Sequence, residues 1–326
     1  MKKTATLLAT TALIVSSMFT AAVAQPYIQI KSGYSLGIIP TILDRTVQTG
    51  FPTASATSPT TNRSLANIYG TYGSGLNFGL DFGYMVSEHF GFNLNGTYFI
   101  GNPINGNTTS LKNDTLTRSY NTVYNATQLR ITPSFILLAG NQHGFNPYAR
   151  FGVILPFINY TDEKFTGSDK YVKVESGAGL TTRSYETQYT NRVTYKFDVG
   201  FTGAVGTTYA LNENIAVVGE IEFNTLNSRA DKASYIAYNQ DYKRQPTTGN
   251  PYSTNTDLNK LNTYTKEILY LDQIDQNANS AYSEISPNKV VDKNRPQEVL
   301  TKINSFTAVG INIGLRYNLQ TANRSE

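Results

Sequence analysis

A chain of 326 residues with no cysteine excludes a disulfide scaffold, a thiol nucleophile and a Cys-based metal site. Its mean hydropathy of −0.31 excludes a protein built from many membrane-spanning helices. With the leader lysines Lys2 and Lys3 set aside, 25 basic residues stand against 23 acidic ones, so nothing calls for nucleic acid or another polyanion as partner.

The first segment reads as an export signal. Lys2 and Lys3 precede the short apolar run LLATTALIVSSMF and the site Ala22-Val23-Ala24, the three parts of a secretory signal peptide cut after Ala24. A membrane anchor is the competing reading, but the run is short and broken by threonine and serine. Residues 1–24 are therefore expected to be removed and 25–326 to form the folded protein.

From there a two-residue alternation, the period of a strand with one apolar face, recurs eight times. Ile28, Ile30, Tyr34, Leu36 and Ile38 alternate with Gln29, Lys31, Gly33, Ser35 and Gly37. Leu76 to Tyr84 follows against Gly75, Asn77, Gly79, Asp81 and Gly83, then Phe90 to Tyr98 against Gly91, Asn93, Asn95 and Thr97. The fourth segment sets Leu129 to Leu137 opposite Arg130, and the fifth sets Ala149 to Phe157 opposite Arg150. The sixth runs from Val193 to Val205 with Lys196 and Asp198 on its polar face, and the seventh from Ile215 to Phe223 with Glu220 and Glu222. The last, Val309 to Leu319, carries Arg316.

The joins alternate as regularly. VSEH (86–89), AGNQHGFN and ALNEN are short, whereas 39–74, 101–126, 159–186 and 225–300 are long. This rhythm predicts an all-β, closed, antiparallel up-and-down transmembrane barrel of eight strands, with tight periplasmic turns and long extracellular loops. A soluble sandwich or a lipocalin-like barrel also alternates. Two features argue against it. Aromatics gather at the ends of the apolar faces (Tyr84, Phe90, Phe92, Tyr98 and Tyr317), as interfacial girdles do, and the other face is too small and polar for a dry core.

The units GLNFGLDFGYMVSEHFGFNLNGTYF and VTYKFDVGFTGAVGTTYALNENIAVVGEIEF resemble those of small bacterial outer-membrane barrels of the OmpA/OmpX-like family. The resemblance spans the strands of the mature chain and implies a multi-pass barrel in the outer membrane of a Gram-negative-type bacterium. It implies a monomer surrounded by lipid and lipopolysaccharide, and inserted by the outer-membrane assembly machinery. Such barrels commonly end on an aromatic residue. Here Leu319 holds that place and a seven-residue periplasmic tail, Gln320 to Glu326, follows, with no cell-wall-binding domain.

Inward positions carry Lys31, Arg130, Arg150, Lys196 and Arg316 against Asp81, Asp198, Glu220 and Glu222. Eight strands leave an interior that side chains just fill, and buried ions there must pair. The expected outcome is an ionic network that plugs the lumen. The alternative is a narrow, porin-like channel for small solutes, although porins use about sixteen strands.

Catalysis has little to build on. Outer-membrane hydrolases on barrels of this size place a histidine near the outer rim, whereas His89 and His143 both fall in short turns. A lipid- or peptide-hydrolysing enzyme is thus the third reading. Asp272 and Asp275 lack the spacing and closing Glu of a calcium loop, and no metal or cofactor is expected.

Each crossing needs ~9–11 residues, so most of the chain lies outside the bilayer. Tyr185, Thr187 and Tyr189 extend the sixth alternation upstream, and a strand from Tyr185 to Tyr209 would reach ~80 Å at ~3.3 Å per residue. The sheet is expected to protrude outward and to expose edges for other proteins. In 225–300, Asp257 is a candidate cap for a helix carrying Leu258, Leu261, Ile268 and Leu271 on one side. That segment reads as a subdomain or lid first, and as an extra strand pair second. Tyrosine-rich loops suit recognition of an extracellular ligand, and solvated loops without a fixed partner are the competing reading. The expected function is structural and adhesive.

Overall fold

The computed structural model describes residues 25–49, 63–112, 116–140, 144–282 and 290–319. The signal segment with Ala24, His143 and the tail 320–326 lie outside the described residues. In chain order the strands are β1 (Gln25–Gly37), β2 (Thr41–Thr49), β3 (Arg63–Gly70), β4 (Gly75–Met85), β5 (Phe90–Gly101), β6 (Ile104–Lys112), β7 (Leu116–Leu138), β8 (Phe145–Glu175) and β9 (Gly179–Tyr195). They continue as β10 (Gly200–Ala210), β11 (Ile215–Thr225), β12 (Asn227–Pro246), β13 (Tyr252–Asp257), β14 (Glu267–Leu271), β15 (Gln297–Leu300), β16 (Ile303–Ser305) and β17 (Ala308–Asn318).

Eight of these form an unbroken antiparallel ring in the order β1-β4-β5-β7-β8-β10-β11-β17, with β17 paired back onto β1. The short joins all lie at one end of the ring. Tyr27 opposite Asn318 brings both ends of the described chain there too, and the Leu319 amide donates to the Pro26 carbonyl at 2.9 Å. Ile30, Phe78, Leu94, Phe135, Phe201 and Ile311 stand exposed on the outside, while Gln29, Asp81, Asn93, Arg150 and Glu220 are buried inside. This is the inside-out pattern of a barrel whose outer wall meets lipid. Close packing at the turn end needs Gly83, because a Cβ there would collide with the inward ring of Tyr27.

Above the ring the strands run on as an open sheet. β7 and the 31-residue β8 stay paired past a bulge at Leu129/Arg130, β9 takes the other side of upper β8, and β12 pairs with β9. β13 and β14 then line β12, β15 runs parallel to β14, and β6 flanks β7.

Two expectations are corrected. The sixth segment is not one strand: β9 stops at Tyr195 and β10 begins at Gly200. The ladder breaks because the neighbour changes from β12 to β11. At the change the Lys196 amide donates to the Arg229 carbonyl, and the Arg229 amide donates to Asp198. Asp257 does cap a turn, accepting from the Asn259 amide at 2.9 Å, but that turn is a single 3-10 turn, Leu258–Lys260. A separate one-turn helix, Thr263–Lys266, is capped by Asn262, and Ile268 and Leu271 lie in β14. The EILYL segment of β14 favours a strand and finds two partners. The strands of 225–300 extend the outer sheet and leave the ring at eight.

Inside, two apolar layers bracket a polar one. Tyr27, Met85, Ile136, Tyr148 and Val218 pack at the turn end. At the other end Tyr72, Phe99, Tyr124, Ile154, Leu226 and Phe306 pack over the mouth together with Val193, Tyr195 and Tyr270.

Candidate functional site

Between the apolar layers, Glu220 is the hub. One of its carboxylate oxygens accepts from Arg150 Nη2 at 2.9 Å, Lys31 Nζ at 3.2 Å and Asn312 Nδ2 at 3.2 Å. The other accepts from the Tyr148 hydroxyl at 3.0 Å and Arg150 Nε at 3.3 Å. Glu222 accepts from Asn312 at 2.7 Å and Thr202 at 3.1 Å, with Arg150 Nη2 at 3.6 Å. Asp81 accepts from Asn93 at 2.8 Å and lies 3.7 Å from Lys31. The side chains of Lys31, Arg150 and Glu220 are 4, 2 and 1 % exposed, so their charges are compensated by each other and by neutral donors rather than by water.

The remaining two inward bases are held differently. Arg130 donates to Asn77 at 2.9 Å with its guanidinium 5.2 Å from the Phe99 ring centre. Arg316 donates to Gln29 at 3.1 Å and stacks 4.0 Å from the Tyr27 ring centre. The void among Lys31, Asn77, Arg130, Glu222 and Asn312 is ≈ 10 Å³, room for about one water.

Lys196 and Asp198 do not join this network, which corrects their expected inward placement. Lys196 Nζ lies 3.3 Å from Asp272, and Asp198 is 2.7 Å from Arg229 Nη2, both pairs near the outer rim. Both residues fall in the four-residue break between β9 and β10, where Phe197 and Val199 stay exposed outside but the chain has left the ladder and the nearest partners are Asp272 and Arg229. The girdle residues Tyr84, Phe92, Tyr98 and Tyr317 are exposed on the outer wall. Phe90, Phe92 and Phe135 pack as a triangle at the turn end, with centroids 5.2–6.0 Å apart. His89 sits in its turn with Nδ1 3.1 Å from the Leu138 carbonyl oxygen. Asp275 accepts from the Asn277 amide. Among the described residues, no group of three or more His, Cys, Asp or Glu is gathered to hold a metal ion.

Sequence reasoning missed Tyr148, and it placed Asn77, Asn93 and Asn312 on polar faces without naming them as partners. Their signal was present, since each occupies an inward position of its strand. It also missed Phe99, Ile154, Leu226 and Phe306. Doubled apolar residues such as Phe99-Ile100 and Val153-Ile154-Leu155 mark where the inward face turns apolar.

The open sheet carries a second constellation on the face continuous with the ring interior. Cross-strand rows place Tyr120, Gly167, Thr187 and Gln240 side by side, with Thr122, Phe165, Tyr189 and Tyr238 below and Arg118, Asp169, Tyr185 and Tyr242 above. Phe165 stacks on Tyr189 at 4.8 Å, and Tyr185 packs on Tyr242 at 4.7 Å. At the tip Glu175 pairs with Arg183 and, at 2.6 Å, with Arg244, and these hydrogen bonds hold its carboxyl below the usual carboxylate range.

The ring and its two constellations define the class, an eight-stranded antiparallel barrel with a raised sheet. No protein-family model and no curated protein matches the chain. Among solved structures it is similar to the outer membrane protein OprG from Pseudomonas aeruginosa, at 14% identity and a TM-score of 0.38, covering 92% of this chain and 98% of that one. A major outer membrane protein from Thermus thermophilus is similar at 10% identity and 0.29, covering 91% and 100%. The deltaS2 mutant of the TodX monoaromatic hydrocarbon channel is similar at 8% identity and 0.22, covering 93% and 92%.

Proposed function

We propose that this protein is an outer-membrane barrel of the OmpA/OmpX-like kind, closed to solutes, that works through the sheet it raises outside the membrane. The observation carrying this reading is the hub at Glu220, where two cations, an amide and a phenol converge on one carboxylate and leave a void of ≈ 10 Å³. An ion crossing the lumen would have to break these contacts and displace the apolar layers at either end. The outer wall faces lipid and lipopolysaccharide, and insertion falls to the outer-membrane assembly machinery. The protein acts as a monomer and without catalysis.

Purified protein in planar bilayers is expected to give no stable conductance. Stable nanosiemens-scale currents would replace this reading with that of a narrow channel. Protease treatment of intact cells is expected to cut the long joins only, and cleavage at Val86–His89 would invert the topology.

A further inference from the structure

The inner face of the raised sheet is aromatic, although the same strands are polar on the other side. Thr166, Ser168 and Lys170 of β8 and Glu186 and Gln188 of β9 point away from it. Over that inner face lies an open groove of ≈ 360 Å³, at the lower end of the roughly 300–1,000 Å³ of small-ligand sites. Tyr120 and Phe165 form one wall, and Tyr171 and Tyr185, whose rings lie within 15° of parallel, form the other. Gly167 keeps the floor open between them. A Cβ there would lie 2.6 Å from the Phe165 ring and 2.9 Å from that of Tyr120.

Polar groups edge the same groove. Thr187 and Gln240 hydrogen-bond to each other at 3.0 Å within the lining. Asp169, the charged member of the lining, is already compensated, its Oδ2 accepting from Arg118 Nη2 at 2.8 Å and from the Tyr120 hydroxyl at 3.1 Å. Aromatic plates, flanking donors and acceptors, and a charge already neutralised in place describe one ligand chemistry. The ligand has flat C–H faces to lie on rings, hydroxyls at its edges, and no net charge. We propose that this groove binds a neutral oligosaccharide, its sugar rings resting on the ring surfaces that Phe165, Tyr171 and Tyr185 leave open to the groove and its hydroxyls meeting Thr187 and Gln240. The proposal rests on the surface-binding reading above and names the ligand class of that surface.

The test uses the full-length protein in lipid nanodiscs, with neutral β-linked hexasaccharides of glucose and of N-acetylglucosamine and a sulfated hexasaccharide as probes. Because the chain has no tryptophan, tyrosine emission reports titrations directly, and saturation-transfer NMR identifies the sugar protons in contact. A neutral probe is expected to bind saturably. Tyr185→Ala and Phe165→Ala should each weaken it about tenfold or more, and Gln188→Ala on the opposite face should leave it unchanged. The gel mobility of the unheated protein monitors an intact ring in every variant. Tighter binding of the sulfated probe, binding indifferent to Tyr185→Ala and Phe165→Ala, or no binding of either neutral probe overturns the proposal. If cells carrying the protein still adhere to a surface in that last case, the ligand assignment fails while the surface-binding reading survives. Loss of adhesion as well ends both.

Discussion

The ring and the raised sheet share two strands, β7 and β8, yet they obey opposite rules. Within the ring, β7 turns Arg130 and Gln128 inward and Phe135 and Leu137 outward. Higher up, the inward residues include Ala126 and Tyr124, and the outward ones include Asn125 and Asn121. β8 changes likewise, from Phe151 and Phe157 outside to Asp162 and Lys164. A bulge beside Phe157 resets the parity of β8 at this level, and the chemistry of the outward face changes with the surroundings. Where lipid lies outside, apolar side chains belong there and polarity is confined to the interior. Where water lies outside, the apolar residues retreat into a dry core under Tyr72 and Phe306.

The sharpest way to break the ring's side of this contrast is at its hub. Glu220→Gln removes the counter-ion that Lys31 and Arg150 share and leaves them the longer contacts to Asp81 at 3.7 Å and Glu222 at 3.6 Å, a loss of charged hydrogen bonds worth about 1.5–3 kcal/mol. Urea titration in detergent micelles should show that loss, and an unchanged midpoint would mean the lumen is wetter than its geometry indicates. A matched pair of substitutions then reads the two regimes directly. Ile221→Arg, on the lipid-facing wall between Val205 and Ile311, should cost about 2–4 kcal/mol, whereas Thr166→Arg on the outer face of the raised sheet should stay within about 0.5 kcal/mol. Equal costs would erase the distinction.

The smallest effect is confined to the tip. The Glu175 carboxyl is held below its ordinary value of 4.5 by hydrogen bonds from Arg244 and Arg183. A lowered carboxyl contributes stability that is present above that ordinary value and lost as pH falls through the depressed one. Protection from hydrogen exchange at the Glu175–Gly179 turn, taken relative to the intrinsic rate at each pH, should therefore fall below pH 4.5, while protection in the ring holds steady. Glu175→Gln should abolish the pH dependence.

The eight crossings were legible because alternation against lipid is strict, and the convergence of Lys31, Arg150 and Glu220 followed from their parity. Lys196 and Asp198 misled for the same reason. Their parity continues through a stretch where the chain has left the ladder, and no local residue pattern records a change of neighbour from β12 to β11. The helix expected after Asp257 failed similarly, since β14 gains more from pairing with β12 and β15 than from one further helical turn. Phe99, Ile154, Leu226 and Phe306 went unread because a core assembled from many distant segments leaves only single-residue departures in each.

Phe306 also ties two events in assembly together. It immediately precedes the residues that enter β17, rests between the rings of Tyr72 and Tyr195, and its amide donates to the Leu226 carbonyl at 2.8 Å. β17 is the strand that joins β11 to β1. Without this segment the ring would have an open seam between β11 and β1, and the core over its mouth would lack the Phe306 ring. Seating β17 against β11 and β1 therefore places the lateral closure and one ring of the mouth's packing in the same stretch of chain.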